Sequence, residues 1–247
     1  YPSIEVIVVD DNNPDDPARA ATEAIMSQFE DDGRVIYVKH PRNLNGSAAR
    51  NTGFRNSSGP YIMFLDDDDE FLPGKISAQH DCLLSRDESW GACYTTYLVR
   101  NTEGKITIHS SEKREGNLVL EELKRNLYIG AGSNLMLRRS VVEDVGGFDE
   151  SFKRNQDQEF LTRVLFKYKL AYVPIDGIVI NSHPRAEGKS IDFEKLTEQY
   201  LEAFGDKIKQ LTPEEQDEDG GKTLTCIGFR PLEDEVVHKI SKKYQLL

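Results

Sequence analysis

Tyr61-Ile62-Met63-Phe64-Leu65-Asp66-Asp67-Asp68-Asp69 joins a short, almost unbroken apolar run to four adjacent carboxylates. A strand with one wet face would alternate apolar and polar residues, so this run predicts a strand covered on both faces. Neighbouring carboxylates repel one another unless a cation or a set of donors neutralises them. A second run of the same kind, Ile4 to Val9, ends at Asp10 and Asp11. Between the two, Pro17 to Phe29 reads as a helix, Arg34 to Val38 as a strand, and Asn45 to Asn56 as a helix broken by Gly53. The order β-α-β-α-β predicts a mixed, mainly parallel sheet flanked by helices, the α/β class. Ligands of such open sheets lie beyond the carboxyl ends of the strands, which gathers Asp10, Asp11 and Asp66 to Asp69 at one crevice.

Downstream, Gly91 to Val99 and Lys105 to His109 read as strands joined by a turn at Asn101 to Gly104. Asn117 to Asn126 reads as a helix. Ser140 with Glu143 three residues later predicts a capping box, and Gly146-Gly147 the end of that helix. Asn155 is expected to cap a helix whose Phe160, Leu161, Val164, Leu165 and Tyr168 share one face, with Asp157 in its first turn. Asp176-Gly177, between Leu170 to Ile175 and Ile178 to Ile180, is a two-residue hairpin signal, and the second strand runs out at His183. From Ile191 on, Phe193, Leu196, Tyr200, Leu201, Phe204, Ile208 and Leu211 form a helical stripe expected to face a core. An acidic loop, Pro213 to Gly221, follows. These signals divide the chain into an α/β domain, residues 1–188, and a C-terminal helical extension, residues 189–247.

The 247 residues carry 31 Lys and Arg against 43 Asp and Glu, a net charge of -12 that would repel a polyanion, so nucleic acid is not an expected partner. Cys82, Cys93 and Cys226 are an odd set without paired metal-ligand spacing, which suits a reducing, cytoplasmic compartment. No apolar run reaches the roughly 18 to 20 residues of a membrane span, and no signal-peptide pattern opens the chain, leaving peripheral contact with the inner face of the membrane as an option. From Gly33 to Gly59 there is no acidic residue, yet Arg34, Lys39, Arg42, Arg50 and Arg55 all occur. Arg50, near the opening of a helix, could face an anion together with free backbone N–H groups, and a plain basic surface strip is the alternative. For the four aspartates the alternatives are a solvated acidic turn and a site for a hard divalent ion. An EF-hand is a poor fit, because its sixth position needs Gly and is Phe71 counting from Asp66.

Val8-Val9-Asp10-Asp11-Asn12, Gly46-Ser47-Ala48-Ala49-Arg50-Asn51, Phe64 to Asp69 and Gly146-Gly147-Phe148-Asp149 occur in that order, and the ordered set resembles glycosyltransferase family 2 from Ile4 to His183. The resemblance implies a GT-A (Rossmann-like) fold, a nucleotide-sugar donor with UDP as the usual nucleotide, Mn²⁺ or Mg²⁺, and inversion at the anomeric carbon. By the same resemblance Asp11 is similar to the aspartate that contacts the base, and Arg50 to the basic residue near base or phosphate. Asp66 and Asp68 are similar to the Asp-x-Asp pair. Asp67 is then a ribose contact, while Asp68 and His183 are metal ligands. Asp157 stands where the family keeps its catalytic base, although Gln156 replaces the acidic residue that normally precedes it; Glu159 is the fallback. A glycan or lipid-linked acceptor, in polysaccharide or glycoconjugate synthesis, is the expected partner, and a homo-oligomer is compatible with the sequence. The family's opening strand, with its Pro-x-Tyr-Asn-like turn, has no counterpart from Tyr1 on, so residues upstream are expected. Two rival readings remain. One is a non-catalytic module that binds nucleotide sugar or glycan; the other is a sugar-phosphate nucleotidyltransferase, which lacks support from any Gly-rich basic loop.

Overall fold

The computed structural model describes residues 1–183 and 193–208. Strand β1 (Val6–Asp10) pairs in parallel with β2 (Val35–Lys39), from Val6 opposite Val35 to Asp10 opposite Lys39. The crossover between them contains α1 (Pro17–Met26), which starts with Pro17 in its first turn and the Asp16 carboxylate accepting from the Ala18 N–H at 2.9 Å. Helix α2 (Gly46–Arg55) is capped by Asn45, whose side chain accepts from the Ala48 N–H, and it runs through Gly53 unbroken.

The third expected parallel strand behaves differently. Strand β3 (Tyr61–Met63) pairs antiparallel with β7 (Met136–Arg138) instead of joining β1. It opens a six-stranded sheet in the order β3, β7, β5 (Trp90–Arg100), β8 (Lys169–Asn181), β4 (Glu70–Phe71), with β6 (Ile106–His109) on β5. Strands β5 and β8 run parallel at its centre. Asp176-Gly177 makes no hairpin, because β8 is one continuous strand in which Pro174, Ile175 and Gly177 have no partner on β5. Pro174 has no N–H to give the ladder. Gly177 sits where a Cβ would stand 2.2 Å from Thr95 Oγ1, so the two central strands can meet only at a glycine.

The capping box at Ser140 also fails. Strand β7 passes directly into α5 (Arg139–Val145), which puts Ser140 inside the helix and the extended Arg138 at the cap. Gly146 ends α5 in the left-handed conformation, as expected. Asn155 stands at the cap of α6 (Gln156–Leu165) but in a left-handed conformation, with no side-chain bond to the helix. Helix α3 (Lys75–Leu84) packs on strands β5, β7 and β8 of the sheet, and α4 (Val119–Leu123) packs on α6.

The core lies between the sheet and α5 and α6, where Phe148 stacks on Phe160 at 4.3 Å and Phe64 meets Phe148 edge-on at 5.0 Å. Helix α7 (Phe193–Ile208) buries Tyr200, Leu201, Phe204 and Ile208, and the Tyr200 hydroxyl bonds Thr162 Oγ1 at 2.7 Å on α6, so this part of the stripe packs on a core. The boundary at residues 188 and 189, Leu211, the loop Pro213 to Gly221 and Cys226 lie outside the described residues. Among the described residues no helix is long and apolar enough to cross a membrane.

Candidate functional site

Strand β3 delivers the acidic turn, which closes with the Asp69 N–H donating to the Asp66 carbonyl at 3.0 Å. Strand β4 follows at once and pairs antiparallel with β8, Glu70 opposite Val179, which lays the turn against the end of β8. There Asn181 Nδ2 donates to the Asp68 carbonyl at 2.6 Å, and His183 Nε2 stands 3.2 Å from Asp68 Oδ2. Both of these side chains are exposed, as is Asp67. Asp69 is the buried member of the four; burial pushes its carboxyl above the usual range, against a hydrogen bond from Ser133 that pulls it down. The Asp66 N–H donates to Ser133 Oγ at 3.0 Å, and its carboxylate pairs with Arg50.

Behind Ser133 lies a buried polar hub that the sequence reading missed. Lys75 Nζ donates to the Asn134 carbonyl at 3.0 Å and to its Oδ1 at 3.1 Å; Thr95 Oγ1 donates to the same Oδ1 at 2.7 Å, and Gln79 Nε2 to the carbonyl at 3.1 Å. Asn134 Nδ2 donates in turn to the carbonyls of Thr95 and Ile129. All four side chains are fully buried, and burial brings the Lys75 ammonium down to about 7. A charged and three polar side chains are tolerated in a core only when they find partners, as all do here apart from Gln79 Oε1. The one trace in the sequence is the spacing of Lys75 and Gln79, one helical turn apart on a face shared with Leu83.

Arg50 ties this turn to the start of α6. Its guanidinium reaches Asp66 on one side and donates to Gln156 Oε1 at 3.0 Å on the other, over the ring of Phe148. Gln156 Nε2 donates to the Phe152 carbonyl at 2.8 Å, so the residue standing in for the usual acid orients Arg50 as a neutral acceptor. Next to it, Asp157 is half-buried, and its Oδ1 accepts from the Gln158 N–H at 3.0 Å. Its Cβ packs on Gly132, where a methyl would stand 3.1 Å away. Asp157 lines a cavity of about 340 Å³ together with Gln158, Tyr97 and Tyr128. Glu159 is buried and forked onto Arg163, with Nη2 donating to Oε2 at 2.7 Å, which commits it to the protein.

At the end of β1 the carboxylates are enclosed. Asp11 accepts from the N–H groups of Leu44 and Asn45 at 2.8 and 2.9 Å, and its Oδ1 lies 2.8 Å from His40 Nδ1. These contacts fold the segment between β2 and α2 over it, and through the Asn45 cap they set where α2 carries Arg50. Burial acts to raise the Asp10 carboxyl, but hydrogen bonds from Tyr37 and Asn12 and the nearby Arg19 outweigh it and leave it below the usual range. Two lines of contact therefore leave the one acidic turn: Asp66 reaches through Arg50 and Gln156 to the first turn that carries Asp157, and Asp68 meets His183, while Asp67 is exposed between them. Asp11 supports this arrangement through α2. Among the described residues no group of three or more His, Cys, Asp and Glu side chains gathers for an ion; Asp68 and His183 stand as a pair.

The model of the family described as Glycosyl transferase family 2 matches residues 1–146. Among relatives, the Amylovoran biosynthesis glycosyltransferase AmsB of Erwinia amylovora is 35% identical over 205 residues, which cover 78% of this chain and 66% of AmsB. An uncharacterized glycosyltransferase of Rickettsia bellii (strain RML369-C) is 27% identical over 223 residues, covering 87% of this chain but 30% of its own length. The crystal structure of S. aureus TarS 1-349 matches with a TM-score of 0.60 at 16% identity, over 90% of this chain and 61% of that one. The same protein in complex with UDP matches with a TM-score of 0.58. This chain thus spans 30% of the Rickettsia relative and 61% of TarS 1-349, and the likeness to TarS shows that the α/β fold is the GT-A fold. With a match over more than half its length, the chain belongs to glycosyl transferase family 2.

Proposed function

We propose that this chain binds a nucleoside diphosphate sugar and transfers its sugar, with inversion, to an acceptor hydroxyl. The observation that carries the reading is the approach of His183 Nε2 to Asp68 Oδ2, 3.2 Å apart, on the acidic turn that Arg50 ties through Gln156 to the start of α6. The UDP complex of TarS supports UDP as the nucleotide, and the name of AmsB supports polysaccharide synthesis as the setting.

The donor set fits a divalent ion. An exposed carboxylate oxygen and an imidazole nitrogen stand side by side, and Mn²⁺ or Mg²⁺ commonly takes few protein ligands, the diphosphate and water completing its shell. Asp68 and His183 would hold it, and it would supply the positive charge that stabilises the departing diphosphate. Asp67, exposed beside Asp68, would receive the ribose hydroxyls. Arg50, on the other side of Asp66, would balance phosphate charge. Asp157 Oδ1 is occupied by the Gln158 N–H, so Oδ2 is the atom that takes the acceptor's proton. The acceptor oxygen then bonds to the anomeric carbon as the bond to the diphosphate breaks on the opposite face.

Thermal shift against a panel of nucleoside diphosphates, with and without Mn²⁺, tests donor binding, because a ligand of the folded state raises its melting temperature. UDP is expected to raise it only with Mn²⁺, and the absence of any nucleotide shift would remove the donor. Asp157→Asn is expected to keep that shift and to lose about 10²- to 10⁴-fold in transfer rate. A near-normal rate would remove Asp157 from its role.

A further inference from the structure

The cavity that Asp157 lines is not isolated. A second, of about 660 Å³, runs along the β5–β6 ribbon and the segment after it, bounded by His109, Ser110, Lys113 and Arg114 among others. Tyr97 and Tyr128 line both cavities, so the two adjoin at this pair of aromatic rings, with Asp157 in the wall of the inner one. Their walls are built. Tyr97 is pinned by Gly130, whose φ of +92° brings the backbone so close that a Cβ there would stand 2.9 Å from the ring. The outer wall is fastened to the Tyr128 segment through Glu112, which is buried, forked onto Arg114 and accepts from the Tyr128 N–H at 3.2 Å. Hydrogen bonds from Arg114 hold the Glu112 carboxyl down at about 2, so this clamp stays charged at any ordinary pH. Tyr128 itself is 62% exposed, the most exposed tyrosine among the described residues.

Resting on the transfer reading above, we infer that the acceptor is an extended glycan chain of at least three sugar units, lying along the two cavities as one trough with its accepting hydroxyl at Asp157 and its body against Tyr97 and Tyr128. A pyranose offers an apolar C–H face and a rim of hydroxyls, which is matched by aromatic rings flanked by hydroxyl, imidazole and guanidinium groups. The outer cavity has about twice the volume of the inner one, so a ring at Asp157 leaves room for two more beyond it. A lipid tail would call for aliphatic walls, and Ile108 is the one aliphatic residue of the nine that line the outer cavity.

The test uses the full chain with UDP and Mn²⁺ on a printed array of mono- to hexasaccharides, alongside vesicles carrying a polyprenyl-pyrophosphate-linked monosaccharide. Binding is expected to rise about tenfold from mono- to trisaccharide for the matching glycan, to fall about tenfold in Tyr128→Ala, and to survive in Tyr128→Phe, which keeps the ring. The thermal shift given by UDP with Mn²⁺ should be the same in all three proteins. Equal binding of mono- and hexasaccharides, capture by the vesicles alone, unchanged glycan binding in Tyr128→Ala, or no binding to any glycan would each overturn the inference. Glycan binding without any nucleotide shift would instead sustain the trough and sink the transfer reading.

Discussion

Strands β1 and β3 both end in aspartates, and the two ends have opposite fates. At the end of β1, Asp10 and Asp11 are enclosed by protein donors: Tyr37, Asn12, two backbone N–H groups and His40. At the end of β3 only Asp66 and Asp69 are held by the protein, while Asp67 and Asp68 face outward and Asp68 meets a single exposed imidazole. The same sequence feature therefore yields a latch in one place and an open receptor for charge in the other. What separates them is whether nearby backbone can reach the carboxylate. The segment between β2 and α2 folds over Asp11, and the two-residue strand β4 pulls the chain away from Asp68.

Four substitutions can break or sharpen that contrast. The largest effect is expected for Asp68→Ala, with transfer rate down by about 10³-fold, close to 4 kcal/mol, and melting temperature nearly unchanged because an exposed pair contributes little to stability. A large loss of stability with activity retained would turn the receptor into a second latch. Asp11→Ala should do the reverse, costing about 3 kcal/mol in urea unfolding, since it strands two backbone donors and an imidazole. If instead stability holds and the UDP shift vanishes, Asp11 contacts the nucleotide directly and the contrast is lost.

The next effect concerns what stands behind the open turn. Burial puts the Lys75 ammonium at about 7 in the folded chain against 10.5 when unfolded, so between these values the unfolded state binds more protons and stability rises with pH. From pH 7 to pH 9 this contribution should reach on the order of 2 kcal/mol and be missing from Lys75→Met. Urea midpoints at the two pH values for both proteins measure it; parallel pH curves would show Lys75 to be titrating normally. The smallest effect belongs to Gln156→Glu. A carboxylate can accept from Arg50 as the amide does, so turnover should change by less than about threefold. A tenfold change would mean that the neutral acceptor matters to Asp157.

What could be read from the sequence was what local chemistry decides. The apolar runs of β1 and β2, the turn at Asn101 to Gly104 and the left-handed Gly146 follow from residues within one turn of each other. The errors arose where a distant partner overrode a local signal. Asp176-Gly177 carries the composition of a hairpin, but β8 has β5 to pair with, and the glycine serves the close approach to Thr95. Ser140 and Glu143 match a capping box, yet β7 runs straight into α5 and leaves no cap position for a serine. Strand order along the chain said nothing of neighbours in the sheet, hence the unexpected pairing of β3 with β7. In the site, Asp68 and His183 were named through a family resemblance, whereas the hub of Lys75, Gln79, Thr95 and Asn134 went unseen. A buried polar network has no period, and Lys75 lies 59 positions from the asparagine it serves.

The pairing of Asp68 with His183 has a consequence for how the protein is made. The carboxylate belongs to the first third of the sequence and the imidazole follows β8, so the two meet only once β8 has docked against β4. A nascent polypeptide still short of residue 183 would display its acidic turn without the nitrogen opposite it. Any ligand that needs both side chains is thus captured only after the ribosome has delivered the last central strand, and half-made copies stay silent toward it.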